Sequence, residues 1–298
     1  MKPDADLVQP IVKAEPSAGS IRAALATDLT RQCAVTASLL LCLLAGMHGA
    51  GLLGGTGIQD AASGAFAPDF TLLALESRAF GMWGVIYLGL LGYTIFQWWP
   101  ADRASQRQRT IGWAVAGSML LNAAWIWAAQ AGNVGLALVL ILMLVAALAW
   151  VIDGLSRYPS PYRVDTLLVD GPLGLYAGWV LLAAALNASS WLTVRGINWL
   201  GWGGELWAVI AVAVVSLAAA VVAMTGRGRI STVLALAWGL GWLAYDRFLG
   251  EPQSAPVAIA AGFGLFFVLV CGISRHFQVG HAERRALRRG ERWTEQAE

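Results

Sequence analysis

Charge is what this sequence most lacks. Only 13% of its 298 residues are Asp, Glu, Lys or Arg, while 58% are apolar. A soluble domain carries roughly 25% charged and 45–50% apolar residues, so this chain has too little charge to solvate a globular surface. It reads as a polytopic membrane protein, which excludes a soluble enzyme. The net charge of +2 gives no reason to expect nucleic acid or another polyanionic partner. Three cysteines and three histidines show no metal-type spacing. Cys33, Cys42 and Cys271 lie in apolar stretches and read as small hydrophobes, not as a disulfide framework. Residues 1–32 contain no short apolar run ending in a cleavage box, so no secretory leader is expected and the first apolar run stays as a helix. The alternating ten-residue segments of a membrane barrel are also missing.

What is present is length of apolar run. Eight segments stand out, at about 33–54, 79–99, 111–131, 134–152, 168–188, 204–224, 230–248 and 256–274. About 20 apolar residues cross a bilayer as a helix, and only a helix satisfies its own backbone polar groups there. The basic residues test the number of crossings. With the N-terminus in the cytoplasm and eight crossings, 17 of the 20 Lys and Arg fall on the cytoplasmic side, and only Arg78, Arg195 and Arg247 fall outside. One missed crossing would invert every later loop, so this bias supports eight helices with both termini cytoplasmic. The expected class is all-α, a polytopic integral membrane helical bundle. Residues 1–32 read as a mobile cytoplasmic arm. Residues 275–298 read as a basic cytoplasmic tail, either solvated or lying as an amphipathic helix on anionic lipid.

The 15 tryptophans divide by position. Trp98, Trp99, Trp113 and Trp150 fall at cytoplasmic helix ends, and Trp127, Trp191, Trp199, Trp202 and Trp207 at outer ends, as interfacial belts do. Trp83, Trp125, Trp179, Trp238 and Trp242 lie farther inside, where an indole N–H wants a partner. Three helices interleave such aromatics with polar residues. Trp83 and Tyr87 are four residues apart and share a helix face, and Asn122 and Trp125 are three apart. Tyr176, Trp179, Ala183 and Asn187 fall within about 80° of one another on a helical wheel. A buried amide is costly in a bilayer unless bonded, so Asn122 and Asn187 should face the bundle. They could serve as interhelical glue or line a ligand cavity.

These residues resemble the TspO, or translocator-protein, family of tryptophan-rich sensory proteins. The family's W-G-x-x-Y followed by G-Y is matched by Trp83, Gly84, Tyr87 and Gly92-Tyr93, with one extra residue before the glycine. Its L-N-x-x-W is matched by Leu121, Asn122 and Trp125, and its Y-x-x-W-x6-L-N by Tyr176, Trp179, Leu186 and Asn187. Pro172 stands four residues before the tyrosine, where the family has it adjacent. The short turn at Gly132-Asn133 fits the family's third connection. The resemblance covers about residues 33–191, a five-helix module, leaving a three-helix extension at 192–274. Two features depart from the family. The first loop offers only Phe66, Pro68 and Phe70 in place of its W-Y pair and proline-tryptophan run. Its fourth-helix acidic residue falls near Val139.

The resemblance implies a receptor, sensor or carrier in a bacterial plasma membrane. It would bind a flat apolar ligand, a tetrapyrrole or haem-type porphyrin or a sterol-like molecule, and require no cofactor. Trp83, Tyr87, Asn122, Trp125, Tyr176, Trp179 and Asn187 would line or support the cavity. Porphyrin photo-oxidation is a further family activity that would lean on the same tryptophans, though an enzyme is the less favoured reading. A secondary transporter is the alternative, and a lipid-modifying enzyme a weaker one, because intramembrane titratable groups are scarce beyond His48.

His48 is a candidate haem or metal ligand, or a partnered neutral imidazole. Asp246-Arg247 and Glu205 are expected to form an ion-pair cluster at the outer interface, and Asp153, Asp165 and Asp170 to solvate a loop beside Arg157 and Arg163. The GGTG run at 54–57 reads as a turn. The Asn187 sequon, at the end of an apolar helix, is not read as a glycosylation site. Gly174/Gly178 and Ala258/Gly262 permit close helix packing or a homodimer.

Overall fold

A computed structural model describes residues 18–54, 56–99, 105–160, 162–225 and 229–289. Its regular elements are helical. The eight long helices are α1 (Ala18–Gly49), α2 (Gly81–Phe96), α3 (Gln106–Gln130), α4 (Val134–Arg157), α5 (Gly171–Val194), α6 (Gly203–Thr225), α7 (Ile230–Leu249) and α8 (Ala255–Arg288). A single helical turn, Arg163–Asp165, and a π-turn, Thr166–Asp170, lead into α5. Helix starts follow local chemistry. Ser105 accepts from the Gln108 N–H, Asn133 from the Leu136 N–H and Ser254 from the Val257 N–H, at 3.2, 3.0 and 3.3 Å, which satisfies donors the helix itself cannot. Gly132, at φ +76°, supplies the left-handed residue that lets α3 turn directly into α4.

Seven helices are long and apolar enough to cross a membrane; α7 is not among them. It carries Thr232, Asp246 and Arg247 among its buried residues and packs against α5 and α8. A helix shielded by neighbours needs less apolar surface than one facing lipid.

Helices α1, α2, α5, α4 and α3 pack in that order into a closed ring, and α7 docks on the far side of α5, followed by α8 and α6. Polar contacts reveal an up-and-down course. At one end Asp28 of α1 meets Arg109 of α3, and Asp170 just before α5 joins Arg107 of α3 to Arg229 before α7. At the other end Ser254 before α8 donates to Glu205 of α6 at 2.6 Å, and the end of α7 meets the long connection between α1 and α2. We call these the basic end and the loop end.

Several expectations change. Residues 18–32 belong to α1, and Asp28, Arg31 and Gln32 are buried, so the arm is helical where it is described; 1–17 lie outside the described residues. The tail continues α8 as far as Arg288, and 290–298, with Trp293, lie outside the described residues. Asp165 is buried and Asp170 is an ion-pair bridge, while Asp153 forms an exposed pair with Arg157. Glu205 bonds Ser254, not Arg247, and Asp246 and Arg247 are 5% and 1% exposed, so the expected interface cluster is instead a buried junction. Gly174 and Gly178 face α7 within the chain: a methyl group there would collide with Ser231 and with the Thr232 carbonyl. Gly262 faces open space.

Candidate aromatic cavity

The site lies in the loop-end half of the ring, where α2, α3 and α5 each contribute a tryptophan. Trp83 of α2 is the hub. It stacks on Tyr87 at 5.5 Å and on Trp125 at 6.2 Å. It meets Tyr176 and Trp179 edge-on at 6.1 and 6.4 Å. Close helix approach makes this possible. A methyl at Gly89 would collide with Pro172, bringing α2 onto α5, and one at Gly46 would meet the Tyr87 ring, bringing α1 onto α2. Phe66 and Phe80, from the connection between α1 and α2, meet Trp125 and Trp179 edge-on.

The polar atoms divide into satisfied and unsatisfied. Trp125 donates its indole N–H to Asn187 Oδ1 at 2.9 Å, and Asn187 donates to the Ala183 carbonyl at 2.8 Å. Tyr176 donates to the Ser118 carbonyl at 3.1 Å. By contrast the Trp179 indole N–H is buried without a hydrogen-bond partner, while the Asn122 amide lies within bonding reach of the phenols of Tyr87 and Tyr176. Buried polar atoms normally find partners, and each orphan costs about 1–3 kcal/mol.

The cavity has a volume of about 40 Å³, roughly the space of one water. Its walls are Trp83, Trp125, Trp179, Leu182, Ala183, Leu186, Asn187 and Ser190, and its roof is Ile58, Phe66, Ala74, Leu75 and Phe80. Ligand pockets usually measure about 300–1,000 Å³. The cage is closed.

The sequence model of the TSPO-like protein family matches residues 34–274. The chain belongs to that family. It is an integral membrane protein built as a helical bundle. No solved structure matches it. The family match runs through α6, α7 and residues 255–274 of α8, so the likeness extends well beyond the 33–191 read from motifs.

In this TSPO-like protein the seven residues singled out from sequence come together, in two layers. Trp83, Trp125, Trp179 and Asn187 line the cavity. Tyr87, Tyr176 and Asn122 sit outside its lining, the two phenols packed against Trp83 and the amide beside them. Trp238 and Trp242 are not part of the cage. Trp242 contacts Trp238 and Tyr245 on α7, and Trp238 is 42% exposed. Of the belt residues, Trp98, Trp99, Trp113, Trp127, Trp150 and Trp202 are exposed, whereas Trp191 and Trp207 are half-buried. His48 stacks on Trp127 at 4.6 Å, and no group of three or more metal-type ligands occurs among the described residues. Val139 is exposed on α4. Sequence reading missed the roof residues Ile58, Ala74, Leu75 and Phe80, because an irregular connection has no periodicity to mark its inward face.

Proposed function

We propose that this TSPO-like protein is a membrane sensor or carrier that binds a flat, largely apolar ligand of the tetrapyrrole or sterol class in the aromatic cage. The observation that carries this reading is the meeting of three tryptophans from three helices around a cavity into which the Trp179 indole N–H is buried with no protein partner. Aromatic faces supply stacking area, and the Trp179 N–H with the Asn187 amide at the wall supplies a few fixed hydrogen-bonding points. A packed core without a ligand role would gain by replacing that orphan indole with an apolar ring. The ligand must open the cage to enter, since the resting cavity is smaller than any tetrapyrrole or sterol.

The test is titration of purified protein with protoporphyrin IX, followed by tryptophan quenching. Saturable quenching that weakens in Trp179→Phe and Asn187→Ala supports the cage; quenching that is absent, or unchanged in both variants, overturns it. The proposed orientation places the basic end in the cytoplasm of a bacterial plasma membrane, following the bias of basic residues. Thiol labelling checks it: Gly196→Cys should react with an impermeant reagent from outside, and Ser105→Cys should not.

A further inference from the structure

The roof over the cavity is an irregular segment, and what holds it comes from the three-helix extension. The described residues between 50 and 80 contain only two short 3-10 turns, Ala62–Gly64 and Ser77–Phe80. Backbone groups in such a segment need partners from elsewhere when they are buried. Helix α7 provides four. Arg247, 1% exposed, donates Nη2 to the carbonyls of Pro68 and Ala74 at 3.2 and 3.3 Å. Its Nη1 donates to the Pro252 carbonyl at 2.8 Å, tying the same guanidinium to the α7–α8 connection. Asp246 accepts the Glu76 N–H at 2.8 Å. One side of Trp238 faces out, but its indole N–H donates to the Ala79 carbonyl at 2.9 Å. These contacts bracket Ala74 and Leu75, two of the five roof residues that line the cavity, and adjoin a third, Phe80.

The side of the cavity wall is backed by the same helix. A methyl at Gly239 of α7 would collide with Leu182 and touch Trp179, so α7 lies tight behind two lining residues. One helix therefore fixes both the roof and one wall of a cavity of about 40 Å³. Hydrogen bonds from a charged donor are among the stronger ones available, and loops without such anchors open readily.

We propose that the extension is the latch of the aromatic cavity. Arg247, Asp246 and Trp238 are positioning residues that hold the segment Pro68–Phe80 closed, and ligand admission follows their release. This assigns a role to the helices beyond the five-helix ring. The part of it that concerns admission rests on the ligand reading above; the latch itself does not.

The experiment uses full-length protein in which Cys33, Cys42 and Cys271 are replaced by Ser or Ala. Leu75→Cys places a thiol in the roof at a site 1% exposed, and Leu173→Cys places one in the ring core at a site 0% exposed. Arg247→Ala should speed maleimide labelling at position 75 by about tenfold or more, the scale of losing bonds from a charged donor, while position 173 stays unreactive. Trp238→Phe, which removes one neutral hydrogen bond, should give a smaller increase at position 75 and serves as the deciding variant if Arg247→Ala does not fold. Unchanged labelling at 75 overturns the latch, as does an equal rise at 75 and 173, which would mean general loosening. In stopped-flow mixing with protoporphyrin IX, Arg247→Ala should shorten the quenching phase in proportion to the labelling rate. Faster labelling with no quenching in any variant leaves the latch standing and removes the ligand reading.

Discussion

Inside the ring of α1 to α5, large aromatic side chains meet around an indole N–H that no neighbour satisfies, whereas the seam between α5 and α7 is made of glycines too crowded to accept a methyl group. The two regions share the same bilayer and nearly the same residue classes. Glycine-lined seams lock helices together by close van der Waals contact, which is the main attraction open to apolar helices in lipid. Aromatics around an orphaned donor do the opposite, leaving contacts unmade that a ligand can complete. On the proposed reading, the extension is the support and the ring is the part with something to gain from binding.

The largest expected effect tests the charged joint between the two regions at the basic end. Asp170→Ala removes the carboxylate that joins Arg107 to Arg229, each 9% exposed at the side chain, leaving Arg107 only Asp165 at 3.6 Å and Arg229 only Ser156 at 3.4 Å, and should cost about 3 kcal/mol of stability, the low end of the penalty for breaking a buried ion pair. Thermal unfolding in detergent measures it, and a negligible change would show that the joint bears no weight. Next comes the glycine seam. Gly178→Val should destabilise by about 1–3 kcal/mol through overpacking, while Gly262→Val, pointing into open space, should stay within about 0.5 kcal/mol of the parent. Equal effects would erase the contrast between seam and surface.

Asn122→Leu sharpens the comparison from the ring side. Removing the amide beside the phenols of Tyr87 and Tyr176 should cost about 1–2 kcal/mol of stability and lower affinity for protoporphyrin in the quenching assay; unchanged stability and affinity would mean that the amide neither braces the phenols nor supports the cage. The smallest effect belongs to His48→Ala. It removes one stacking contact with the exposed Trp127, should cost no more than about 1 kcal/mol, and should leave the ultraviolet-visible spectrum of added haemin unchanged. A spectral change would make His48 an iron ligand.

Much of the architecture is legible in sequence for one reason: a bilayer penalises every exposed backbone polar group, so long apolar runs can only be helices. All eight long helices overlap the apolar runs, but polar turns carry two of them far past the apolar run, to Ala18 where 33 was expected and to Arg288 where 274 was expected. The spacing of Trp83 and Tyr87, and of Tyr176, Trp179 and Asn187, is legible because the helix period puts each set on one face. Ion partners are not legible. Asp170 sits beside Arg163 in sequence yet pairs with Arg107 and Arg229, because helix ends far apart in the chain meet at the same level of the bundle. Nor does sequence distinguish Trp238 from Trp179, since both lie inside apolar helices and only packing decides which one faces outward.

The scarcity of charge and the length of the apolar runs by themselves determined a helical membrane protein, the number of its long helices and the faces that carry its aromatics, since these follow from solvation and from the 3.6-residue period. The tertiary structure alone decided that the ring closes through α5, that the resting cavity is small, and that α7 holds both its roof and one wall. Those facts depend on which segments touch. Arg247 lies near the end of α7 and Ala74 in the irregular connection before α2, and nothing local to either records that a guanidinium and a carbonyl will meet at 3.3 Å.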